Sequence, residues 1–143
     1  MSPVFLIKLY LLTVPVFFAV DMVWLGWLAA DFYQQQIGHL LSEQVNWAAA
    51  LAFYLLYIVG ILMFAVVPGL RRQSLVHTLA MAPAFGLFTY ATYELTNMAT
   101  LPDWPLNLVL IDTLWGMALC TMVASLSYLL GRWLQRRAEN SSS

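Results

Sequence analysis

Charge is what this sequence has least of. Six Lys or Arg and seven Asp or Glu make up 9% of its 143 residues, against about a quarter in an ordinary soluble domain. A water-exposed globule is excluded. The near balance of signs supplies neither a basic face for nucleic acid nor a strongly acidic surface. With one cysteine, Cys120, there is no internal disulfide and no Cys-x-x-Cys motif, and Cys120 reads as a packing residue of a helix. A Gly-rich phosphate loop, a serine nucleophile elbow and a paired-histidine zinc motif are also missing. The familiar soluble-enzyme chemistries therefore lack their residues.

Apolar surface is abundant instead, at 62% of the chain. Residues 4–30, 46–67, 75–101 and 106–133 form four runs, each long enough to cross a hydrocarbon core as helix. Strands would require short alternating segments closed into a barrel, and that alternation is absent. The expectation is an all-α integral membrane four-helix bundle, a single domain over 1–133 with a short cytoplasmic tail at 134–143, of which the polar stretch Ala138–Ser143 reads as disordered. Four spans use about 80 positions, so any chemistry has to sit inside the bilayer or at its surface. The first run is too long for a secretory signal core, and Lys8 follows apolar residues rather than leading them. It reads as a retained helix.

The basic residues set the orientation. Lys8 begins the first span, Arg71 and Arg72 separate the second from the third, and Arg132, Arg136 and Arg137 close the fourth. The loops 31–45 and 102–105 hold Asp31, Glu43 and Asp103 and no Lys or Arg. Retention of positive charge on the cytoplasmic side places both termini inside. His39 and His77 then lie on opposite sides of the membrane and cannot share a metal; His77, with Arg71 and Arg72, is placed among anionic head groups. Pro68-Gly69 is expected to stop the second helix, and Pro102-Asp103-Trp104-Pro105 to make a tight outer hairpin, with Pro105 in the first helical turn. Trp27, Trp47, Trp104 and Trp133 read as interfacial belt residues. Pro15 and Pro83 lie inside spans, where each removes a backbone hydrogen bond.

Three acids remain that no loop accommodates: Asp21 in the first span, Glu94 in the third and Asp112 in the fourth. A charged residue at a helix centre costs about 2.5–3.5 kcal/mol on insertion scales. No Lys or Arg lies deep in a span to neutralise them. At about 1.5 Å per residue all three fall roughly 10–14 Å below the outer boundary, which suggests one polar cluster. Their helical neighbours are donors: Trp24 follows Asp21 at i+3, Trp115 follows Asp112 at i+3, and Tyr90 and Asn97 flank Glu94 at i−4 and i+3. Tyr54 and Tyr57 of the second span lie at similar depth. Asp21, Trp24, Tyr90, Glu94, Asn97, Asp112 and Trp115 are thus the candidate ligand-binding residues. Either the acids share protons in a hydrogen-bonded network, or a cation occupies the space among them.

Several of these segments together, Asp21-Met-Val-Trp24-Leu-Gly26, Asp31-Phe32-Tyr33, the stretch from Tyr90 to Leu101, and Asp112-Thr-Leu-Trp115-Gly116, carry a likeness. The chain resembles a bacterial family of predicted membrane proteins catalogued as domain of unknown function 2177, over nearly its whole length. The resemblance implies four helices in a bacterial inner membrane and implies no activity. An aspartate often stands in that family where Glu94 stands here, so the acid is kept while its reach changes.

Three classes of function fit the residues. The first is a protein that binds a cation, protons or a small polar ligand, in which transport by so narrow a bundle would need a homo-oligomer. The second is a membrane-embedded enzyme acting on lipid or another apolar substrate, with one acid as proton donor and another as base. The third is an accessory subunit whose acids fix helix register. The lipid bilayer is the expected partner and nucleic acid is not; neither a cofactor nor a metal is specified.

Overall fold

The computed structural model describes residues 1–142. Four helices long and apolar enough to cross a membrane make up the body: α1 (Pro3–Leu28), α3 (Trp47–Arg71), α4 (Leu75–Thr100) and α5 (Leu106–Ser141). A fifth, short helix, α2 (Ala30–Ile37), lies between the first two. There is no strand among the described residues. The all-helical expectation holds, as does the number of spans.

Three of the four spans, α1, α3 and α4, start where the sequence offers a side-chain acceptor for the free N–H groups of the first turn. Ser2 accepts from the Phe5 N–H at 3.2 Å, with Pro3 as the first helical residue. Asn46 accepts from Ala49 at 3.1 Å and Ser74 from His77 at 3.2 Å. Two tight connections reverse the chain, around Gln73 (φ 51°) and Asp103 (φ 58°), both in the left-handed region. Pro105 sits at the N-cap of α5, one residue before its expected place in the first turn.

The central helix is α5, which contacts α1, α3 and α4. Leu9 and Phe17 from α1, Ile58, Ile61, Ala65, Val66 and Leu70 from α3, and Leu119, Cys120, Val123 and Ala124 from α5 are fully buried in one core. Large apolar side chains also face outward, among them Leu11, Leu56, Phe88 and Leu114, as a lipid-exposed surface requires. The closest helix pair is α4 with α5. A methyl group built on Gly86 would strike the Gly116 carbonyl and come within 2.8 Å of the Met117 Cα, so the two backbones touch there.

Three expectations are corrected. Pro68-Gly69 does not end the second span: α3 continues to Arg71. A wide π-helical turn at Leu62–Val66 directly precedes Pro68, and the loosened hydrogen-bond pattern accommodates the missing N–H and the proline ring. The stretch read as disordered from Ala138 onward is helical as far as Ser141, because α5 runs through it; Ser143 lies outside the described residues. Leu, Gln, Arg, Ala and Glu are good helix formers, and the Arg137 guanidinium lies back over the Trp133 ring, 4.2 Å from its centre. The segment 31–45, read as a loop, contains α2 and a tight turn at Gly38–Leu40.

Candidate functional site

Two of the three intramembrane acids meet. The carboxyls of Glu94 on α4 and Asp112 on α5 face each other within interaction range, and both residues are buried, at 1% and 6% exposed. Each accepts a hydrogen bond from a donor that approaches from the loop end of the bundle. The Trp104 indole N–H, in the α4–α5 hairpin, donates to Glu94 Oε2 at 2.8 Å. The Tyr33 hydroxyl, from α2, donates to Asp112 Oδ1. Tyr33 in turn accepts from the Trp24 indole N–H at 3.0 Å. Burial, reinforced by the Asp112 carboxyl, pushes the Tyr33 hydroxyl above the ordinary tyrosine range, so it stays a neutral donor.

Local folding puts Tyr33 there. The end of α1 widens into a π-helical turn at Trp24–Leu28, closed by the Ala29 N–H on the Trp24 carbonyl at 2.8 Å. Ala29 is buried and breaks the helix. Asp31 then occupies the first turn of α2, where the positive end of the helix dipole favours it. Tyr33 and Ile37, four residues apart, share the inward face, and Ile37 is buried. His39 beyond α2 faces Asp103 of the hairpin, Nε2 to Oδ2 at 3.9 Å, so the two outer connections close over the same end. Both side chains are largely solvated, and so loose a pair adds little stability.

Asp21 lies nearby but in a separate setting. It is 3% exposed, faces the Tyr54 hydroxyl and the Trp115 indole N–H, and is within electrostatic range of Asp112. The buried Trp115 N–H falls short of hydrogen-bond geometry toward any acceptor, so its contact with Asp21 is a loose polar one. Its ring stacks on that of Trp24, 4.4 Å between centres and 6° between planes, which ties the Asp21 region to the Tyr33 chain. Among the described residues no three His, Cys, Asp or Glu side chains lie close enough to hold a metal ion. The arrangement is a carboxyl pair with a third acid beside it.

The donors differ from those the spacing suggested. Trp24 serves Tyr33 rather than Asp21, and Trp115 turns toward Asp21 rather than Asp112. Asn97 interacts with Tyr93, one turn back, not with Glu94. Tyr90 packs its ring against Gly116 and, edge-on, against Tyr57, 6.1 Å between centres. Tyr57 bonds Thr89 Oγ1 at 2.8 Å and Cys120 Sγ at 3.2 Å, which leaves Cys120 a buried packing residue. Trp27 and Trp47 are widely exposed, as belt residues are, whereas Trp104 is half-buried and bonded inward. Sequence reasoning missed Tyr33 and Trp104 as site residues. The Tyr33–Ile37 spacing and the enclosure of Trp104 between two prolines were the available signals.

Four apolar spans and a facing carboxyl pair under a loop-borne cover define a polytopic helical membrane protein with a buried acidic site. Residues 6–129 match the family model described as predicted membrane protein (DUF2177), and the chain belongs to that family. No curated protein and no solved structure matches it.

Proposed function

We propose that this is an inner-membrane protein that binds and exchanges a proton at the Glu94–Asp112 pair, in the half of the bundle facing away from the cytoplasm. One observation carries the reading: two buried carboxyls that face each other, with every Lys and Arg of the sequence near the opposite end of the bundle. Such a pair needs a positive charge between its oxygens, and a proton is the smallest that serves. Trp104 and Tyr33 each donate to one carboxyl, which suits a pair carrying one proton and one remaining negative charge. A proton needs two ligands, where a metal ion needs more than this pair supplies.

In this reading Asp21 is a second station, with Trp24, Tyr90, Asn97 and Trp115 shaping the space around the acids rather than holding the ligand. The exposed face of α4 carries Thr92, Thr96 and Thr100, each bonded to its own helix backbone. A hydroxyl-lined face inside a span supports a second copy packing there, and hence a homo-oligomer.

Infrared difference spectra of the reconstituted full-length protein across a pH titration test the site. A protonated-carboxyl band is expected, and it should be lost or shifted in Asp112→Asn and in Glu94→Gln alike, because the pair holds the proton jointly. Spectra unchanged by both substitutions would sink the proposal. The orientation has its own check: a reporter that works only in the cytoplasm, fused after Ser143, is expected to be active, and activity of a periplasm-only reporter there would invert the topology.

A further inference from the structure

A shallow groove of about 500 Å³ runs along the seam of α1 and α5, lined by Leu12, Val16, Leu126, Leu129, Leu130 and Trp133. Its walls are apolar and it opens sideways, where the bilayer is. The register of the two helices is fixed by the buried bond from Thr13 Oγ1 to Ser127 Oγ, 2.9 Å. From that level the groove extends toward the end of the bundle that carries both termini.

The mouth of the groove is positive on both sides. On α1, Lys8, Leu12 and Val16 follow one another at four-residue steps, so Lys8 stands on the groove face one turn beyond Leu12. It is exposed and lies about 7–8 Å past Thr13 along the axis. On α5, Leu126, Leu130, Trp133 and Arg137 form the matching stripe. Arg137 is the farther out, but helical side chains lean toward their own N-terminus, and its guanidinium is drawn back over the Trp133 ring. That brings it toward the level of Lys8. Glu139 is about 200° around the helix from Arg137 and so points away from the groove.

We propose that this groove holds an anionic phospholipid of the surrounding bilayer, with an acyl chain between α1 and α5 and the phosphate between Lys8 and Arg137. A lipid tail fits walls that offer no hydrogen-bond partner, and the paired cations select the head group. Trp133 serves twice, as apolar lining and as the plate that holds Arg137 in place. The site lies at the opposite end of the bundle from the carboxyl pair and does not depend on its chemistry.

Native mass spectrometry of the detergent-purified full-length protein, titrated with dioleoyl-phosphatidylglycerol and dioleoyl-phosphatidylcholine, separates head-group recognition from chain binding. The wild-type chain is expected to retain phosphatidylglycerol about tenfold more strongly. Lys8→Gln with Arg137→Gln should reduce that preference to about twofold or less. Arg71→Gln with Arg72→Gln, basic residues at the same end and among the head groups but off the groove, should leave most of it, a loss of no more than about twofold. Leu126→Trp, which fills the groove, should weaken both lipids; because it alters only a lipid-facing side chain, the fold is retained and helix content provides the check. Equal retention of the two lipids by wild type, or a preference that survives the Lys8/Arg137 substitution, overturns the proposal. So does a dimer that dissociates in Leu126→Trp, since a second copy would then be the occupant.

Discussion

Gly86→Leu is expected to separate α4 from α5 and abolish the native fold, and Gly86→Ala to destabilise it by about 1–3 kcal/mol. The neighbours of a Cβ at position 86 are the Gly116 carbonyl and the Met117 Cα, both backbone atoms. Backbone cannot swing aside as the end of a side chain can, so relief requires moving one helix against the other. Gly116→Ala should follow the same trend, because its Cβ would enter the Tyr90 ring. Gly26 is the control. Nothing lies within 4 Å of a Cβ there, so Gly26→Ala should be neutral or stabilising by up to about 1 kcal/mol. Unfolding in mixed micelles, followed by helix content, measures all four. Equal effects at positions 26 and 86 would mean that the α4–α5 contact is not close-packed.

Asp112→Ala is expected to cost about 2 kcal/mol and, more tellingly, to release α2. Without that carboxyl the Tyr33 hydroxyl loses its acceptor and Glu94 its partner, and an unpaired buried polar group costs about 1–3 kcal/mol. The Trp24–Tyr33 bond and the packing of Ile37 then remain to hold α2. Hydrogen exchange over residues 30–37 should accelerate in Asp112→Ala and in Tyr33→Phe. In Asp112→Asn it should change far less, because the amide oxygen still accepts from Tyr33 and the amide N–H can donate to Glu94. Unchanged exchange in the alanine variant would show that Ile37 packing, not the polar chain, fastens α2. Trp104→Phe removes the donor to Glu94 alone and should leave α2 protected.

The sequence by itself determined the all-helical class, the number of spans and which acids lie in the membrane. Those follow from a local requirement: a backbone in hydrocarbon has to satisfy its own hydrogen bonds, and about 20 apolar residues in a row announce where it does. The depth of Asp21, Glu94 and Asp112 could be counted along each helix for the same reason. Which groups they face is a matter of rotation and of neighbours far along the chain. The π-helical turn at Trp24–Leu28 changes the phase of the helix after Asp21, so that Trp24 reaches Tyr33 nine residues on. Only the tertiary structure brought Tyr33 and Trp104, from two connections read as loops, onto the carboxyl pair. It likewise set Asp21 apart with Tyr54 and Trp115. A side chain's periodicity gives its own face of its own helix; what stands opposite depends on how every other helix turns.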